Sequence, residues 1–90
     1  PALDVIGLLQ QGGSVVNYHD PYIPWIKEED FELESVDDLM ASVSEADCVV
    51  IITDHSDYDY AAILKSANCI VDTRNALAEL GRNNPKVVKL

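Results

Sequence analysis

Positive charge is what this chain has least of. Its 90 residues hold 6 Lys and Arg against 16 Asp and Glu, a formal net charge of −10. Nucleic acid and anionic membrane surfaces are gripped by clustered Lys and Arg, so neither is a general partner. One phosphate held by a single arginine stays open. No stretch approaches the roughly 18 apolar residues of a membrane-spanning helix. Glycine is also scarce, with 4 in all, and no Gly-x-Gly-x-x-Gly occurs. The chain by itself is therefore not expected to hold a dinucleotide. Of the 2 cysteines, neither Cys48 nor Cys69 has a second cysteine at ligand spacing, which argues against zinc. Each opens an apolar run and reads as a small buried side chain in a reducing cytosol. A disulfide or a metal pair is the alternative.

What the chain does have is two short apolar runs that stop abruptly. Val49-Val50-Ile51-Ile52 ends in Thr53-Asp54-His55, and Cys69-Ile70-Val71 ends in Asp72-Thr73-Arg74-Asn75. Strands covered by helices on both faces of a parallel sheet read this way, because they have no solvent side to impose alternation. In open α/β sheets, ligands bind outside the carboxyl ends of the strands. Two such ends with polar residues predict a ligand-binding edge.

The rest of the chain alternates around these runs. Residues 1–11 predict a helix with an apolar stripe of Ala2, Val5, Ile6 and Leu9, stopped by Gly12-Gly13. Ser14–His19 predicts a strand, ended by Asp20-Pro21. Residues 20–34 read as an acidic, proline-containing loop. Ser35-Val36-Asp37-Asp38 resembles a capping box that opens a helix to about Ser44. Cys48–Thr53 and Cys69–Thr73 are strands, with a helix over Asp57–Ser66 between them. Ala76–Leu80 is a short helix ended by Gly81, and a last strand follows Pro85. This order predicts one small α/β domain over residues 1–90: a Rossmann-like three-layer α/β/α parallel sheet built from βαβ units. The series opens on a helix and on Pro1, so the chain is expected to be a piece of something longer. Its central strand is expected to lie before Pro1. Without that strand, Ser14–His19 and Cys48–Thr53 would expose sticky edges, and the isolated chain should be poorly soluble or oligomeric.

Four segments together resemble the C-terminal nucleotide-binding domain of the UDP-glucose/GDP-mannose dehydrogenase family. They are Pro1-Ala2-Leu3-Asp4-Val5-Ile6, Tyr18-His19-Asp20-Pro21-Tyr22-Ile23-Pro24, Ala46–Tyr58 and Val71-Asp72-Thr73-Arg74-Asn75-Ala76. The resemblance implies the UDP-binding domain of an NAD-dependent enzyme that oxidises the C6 alcohol of a nucleotide sugar to a carboxylate. It implies a UDP-sugar substrate, and NAD bound mainly by an N-terminal Rossmann domain of the same protein. It also implies a homodimer in the cytoplasm. The catalytic cysteine of the family matches neither Cys48 nor Cys69, so the chain alone should not be catalytic. A lysine and an arginine of the family site would lie before Pro1. Thr53-Asp54-His55, where glucose dehydrogenases of the family carry Thr-Glu-Trp, resembles the branch acting on UDP-N-acetylhexosamines, with UDP-N-acetylglucosamine first. A stand-alone flavodoxin-like binding module without activity is the alternative.

Arg74 is the leading substrate-binding candidate. A guanidinium just past a buried strand can give a bidentate pair to a phosphate or a uracil carbonyl, and the resemblance places a substrate contact there. A salt bridge to Asp72 or Asp54 is the plainer role. Asn75 is placed to cap the helix at Ala76, and Asp72 to orient Arg74 or cap the loop. Asp54 and His55 read as loop scaffolding at the site edge, with no nucleophile beside them for acid–base work. His19, Asp20, Asp54, His55 and Asp57 fit no metal spacing. Tyr22, Trp25 and Phe31 are expected to dock on another domain or cover the sheet edge, and Tyr58 and Tyr60 to pack on a helix face.

Overall fold

A computed structural model describes residues 2–90, which form two compact units divided after Asp37. The first unit opens with helix α1, Ala2–Gln11, whose buried residue is Ile6. Pro1, read as the start of this helix, lies outside the described residues. The helix stops as the glycine pair predicts. Ser14 N donates to Leu9 O at 3.0 Å and Gly13 N to Gln10 O at 3.0 Å. Gly13 takes φ +93°, a left-handed turn that costs glycine nothing.

Ser14–His19 is not a strand of the sheet. Val15 is 95 % exposed, and the segment's one ladder contact is an isolated bridge from Tyr18 to Ser35. Its backbone bonds are single ones, Ser14 N to Leu9 O and Val36 N to Tyr18 O, and among the described residues no ladder runs beside it. The supposed loop beyond it holds a hairpin instead. Strands β1, Trp25–Lys27, and β2, Glu32–Glu34, pair antiparallel with Ile26 opposite Leu33. Each strand puts one half-buried apolar residue between two exposed neighbours. That is period-2 alternation at its shortest length. Asp20 shapes the approach, its Oδ1 accepting from Tyr22 N at 2.7 Å and Ile23 N at 3.1 Å.

The second unit carries the parallel sheet. Its strands β3, Val49–Ile51, β4, Ile70–Asp72, and β5, Val87–Lys89, run parallel in the order β3-β4-β5. The register aligns Val49, Ile70 and Val87 in one row and Ile51, Asp72 and Lys89 in another. Helix α2, Leu39–Glu45, follows Asp38, and helix α3, Tyr60–Ser66, follows Asp59. Each aspartate accepts the N–H three residues on, from Ala41 and Ala62. These caps replace the earlier starts expected at Ser35 and Asp57. The Ser35 hydroxyl accepts from Asp20 N instead. The core gathers Val43, Ile51, Ile63, Ala67, Ile70 and Leu77, with Ile70 fully buried. Burying such a side chain contributes about 1.5–3 kcal/mol. The expected burial on both strand faces is not reached: Val71 of β4 is half-buried, and Val50 of β3 and Val88 of β5 are 37 % and 50 % exposed. The short helix after β4 is a 3-10 turn, Ala78–Gly81, that starts later than expected. Among the described residues no helix is long and apolar enough to cross a membrane.

Lys86 locks the end of α3 to the start of β5. Its ammonium donates to Leu64 O at 2.6 Å, Ala67 O at 2.9 Å and Lys65 O at 3.2 Å. The last carbonyls of a helix have no intrahelical partner and carry the negative end of its dipole, so a cation there is stabilising. Lys86→Met keeps the apolar stem and removes the donors. Urea unfolding should show a loss of about 1–3 kcal/mol. An unchanged midpoint would mean that water caps these carbonyls equally well.

Candidate functional site

The carboxyl ends of β3 and β4 leave the sheet side by side, because Ile51 and Asp72 are register partners. Thr73 fastens the two exits. Its backbone N–H and its hydroxyl both donate to Ile51 O, at 3.0 and 2.7 Å. Segments 52–59 and 73–77 therefore start from one fixed line.

Asp72 builds the second segment. Its side chain is fully buried at the end of the central strand. Oδ1 accepts from Arg74 N at 3.1 Å and Ala76 N at 3.0 Å, and Oδ2 accepts from Leu77 N at 3.0 Å. Burial pushes this carboxyl up, but the Leu77, Ala76 and Arg74 N–H groups and the Lys89 charge outweigh it and hold it below its ordinary value. The chain wraps around the carboxylate, which forces Asn75 to φ +54°. Asparagine tolerates that region better than most residues. Asn75 is thus not the side-chain cap expected of it. Asp72 does the capping, and Asn75 supplies the turn conformation and a carbonyl that accepts from Ala78 N at 3.2 Å.

Arg74 stands exposed on this turn. Among the described residues its guanidinium makes no hydrogen bond and no ion pair, and its one polar contact is through the backbone N–H to Asp72. The plainer role, a salt bridge to Asp72 or Asp54, is not adopted. Both carboxylates are engaged elsewhere.

Asp54 and His55 are organised by a residue that sequence reading assigned only to packing. Tyr60, at the first turn of α3, donates its hydroxyl to Asp54 Oδ1 at 3.0 Å and accepts from His55 N at 3.0 Å. Burial raises its phenol above the ordinary value; the His55 N–H opposes this, while Asp54 and the Asp72 charge add to it. The His55 ring meets Tyr58 edge-on with centroids 5.8 Å apart, and Tyr58 lies 5.9 Å from Tyr60. No local sequence pattern signals this brace, because it joins the loop after β3 to the helix that follows.

The arrangement is a hydrogen-bonded polar edge on which, among the described residues, the Arg74 guanidinium is exposed and makes no ion pair. It suits an anionic or carbonyl-rich ligand that lies against Arg74. The two thiols lie at the opposite end of the strands: Cys48 and Cys69 precede β3 and β4, and three residues of extended chain place Cys69 roughly 10 Å from Asp72 along the strand direction. Neither is the buried core side chain expected, since Cys48 is exposed and Cys69 half-buried. Among the described residues no group of three potential metal ligands occurs.

The family model described as UDP-glucose/GDP-mannose dehydrogenase family, UDP binding domain, matches residues 1–79. That span includes both strand-end segments. No curated protein and no solved structure matches.

Asp72→Asn is nearly isosteric and leaves one amide N–H facing a backbone N–H. At neutral pH it should destabilise by about 1–3 kcal/mol in urea unfolding. The native carboxylate titrates below its unfolded value, near 4. Its contribution is therefore present above that pH and is lost as pH falls through the folded value. The gap between wild type and Asp72→Asn should close in acid; a gap that stays constant down to pH about 2 would contradict the assignment.

Proposed function

The chain belongs to the UDP-glucose/GDP-mannose dehydrogenase family as its UDP binding domain, and from that we propose that the strand-end edge carrying Arg74 receives the UDP part of a nucleotide sugar. The observation that supports this is the unengaged guanidinium on a turn already fixed by Asp72. A guanidinium without a partner has no ion pair to break before it donates two parallel N–H bonds to a phosphate or to a uracil carbonyl. The turn is ordered before the ligand arrives, so little ordering cost is deducted from binding. Asp54 and His55, braced by Tyr60, follow the neighbouring strand end.

The protein as a whole is read as an oxidoreductase that takes the sugar C6 alcohol to a carboxylate, with NAD as the hydride acceptor. The residues of this chain do not fit a dinucleotide. The loop from β3 to α3, residues 52–59, contains no glycine and carries acidic and aromatic side chains from Asp54 on. A pyrophosphate cradle needs glycines for close backbone approach. NAD is therefore assigned to an N-terminal domain of the same protein, and no step of the oxidation is routed through the residues described here. The covalent step is likewise assigned elsewhere, since both cysteines sit at the amino end of the sheet. Thr53-Asp54-His55 favours a UDP-N-acetylhexosamine, with UDP-N-acetylglucosamine first. A dimeric, cytoplasmic enzyme is the form in which the domain is expected to work.

In the full protein, Arg74→Ala should raise KM for the UDP-sugar roughly tenfold to a hundredfold, the loss of a charged hydrogen bond of about 1.5–3 kcal/mol. KM for NAD should stay near the wild-type value. An unchanged sugar KM with weakened NAD binding would overturn the assignment.

A further inference from the structure

The two thiols at the amino end of the sheet are neighbours. Val49 and Ile70 are register partners, so Cys48 and Cys69 are the next rung of the same parallel ladder. Val49 N donates to Cys69 O at 2.8 Å and fixes the backbones there. The Sγ atoms lie 3.5 Å apart. Adjacent strands run about 4.8 Å apart, inside the Cα spacing of about 4.4–6.8 Å that a disulfide spans. Closing the 3.5 Å gap to a bond of about 2.0 Å needs the sulfurs to approach by only about 1.5 Å, within reach of a small χ1 adjustment.

We propose that Cys48 and Cys69 are a reversible modification site, a dithiol that a low-molecular-weight disulfide oxidises to a cross-strand disulfide. Exposure sets the order of events. The Cys48 thiolate reaches solvent and attacks one sulfur of the small disulfide. The S–S bond of that reagent breaks, and its first half leaves as a thiol carrying the Cys48 proton. The half-buried Cys69 thiolate then attacks the Cys48 sulfur of the mixed disulfide and expels the second half, which leaves with the Cys69 proton. The two cysteines lose two electrons and the reagent gains them. Burial and the neighbouring Cys69 hold the Cys48 thiol above its ordinary range. The first exchange is therefore slow. Among the described residues no third ligand joins the pair, which separates it from a metal site. The bond would tie together the two strands that carry the ligand edge at their far end.

The full protein equilibrated in buffers of glutathione and glutathione disulfide, alkylated and digested without reduction, tests this by mass spectrometry. A peptide pair joined through Cys48 and Cys69 should appear as the disulfide fraction rises and vanish on reduction. Cys69→Ser should instead hold glutathione on Cys48, and Cys48→Ser should give no cross-link and a slowly alkylated Cys69. The proposal is overturned if wild type stays as two free thiols in fully oxidised buffer. A wild-type mixed disulfide on Cys48 beside a free Cys69, or a bond formed only between two chains, overturns it equally.

Discussion

A single buried carboxylate organises the carboxyl end of the sheet in this domain. Asp72 closes the central strand and is sealed from solvent. A charge in that position is tolerable only with full hydrogen bonding. The chain meets that demand by folding the next five residues back over it, so that the N–H groups of Arg74, Ala76 and Leu77 all point inward. The electrostatic requirement of one residue thus dictates the path of the segment after it. Arg74 is turned outward as a consequence, and Asn75 is driven into the left-handed region. Leu77 is delivered to the core, where it is 1 % exposed. One interaction couples the packing of the domain to the placement of its cation.

The neighbouring strand is tied to that arrangement from two sides. Thr73 grips Ile51 O with both its amide and its hydroxyl. Tyr60 reaches back from α3 to hold Asp54 and the His55 backbone. The edge is acidic in sequence, but Asp72 is turned inward onto backbone N–H groups and Asp54 is held by Tyr60. Neither pairs with the exposed Arg74 guanidinium. An acidic domain can accept a phosphorylated ligand when its acids are hydrogen-bonded within the fold and its cation is not.

Much of this was legible in the sequence, and the rest was hidden for identifiable reasons. The β-branched runs located β3 and β4 within a residue or two, since each delivers an apolar residue to the core, Ile51 and Ile70. The glycine pair located the end of α1. Ser14–His19 misled because Val15, Val16 and Tyr18 have strand propensity, while strand formation needs a partner that propensity does not supply. The β1–β2 hairpin was masked by its acids: Glu28, Glu29 and Asp30 mark a loop, and strands of three residues give almost no alternation to read. Asn75 and Asp72 exchanged capping roles because both types cap well, and only the path of the turn decides between them. The Tyr60 brace and the Cys48–Cys69 rung depend on distances between elements, which no local pattern encodes.

The central claim is that the turn around Asp72 is formed before ligand binds and then receives UDP at Arg74. Amide hydrogen exchange of the full protein, with and without UDP, tests it most directly. The account predicts that the Ala76 and Leu77 amides are protected in the free protein at close to core levels, because both are buried against a carboxylate. It predicts that UDP slows exchange further across residues 53–55 and 73–75. Free exchange at Ala76 and Leu77 without ligand, or UDP protection confined to other parts of the chain, would contradict it.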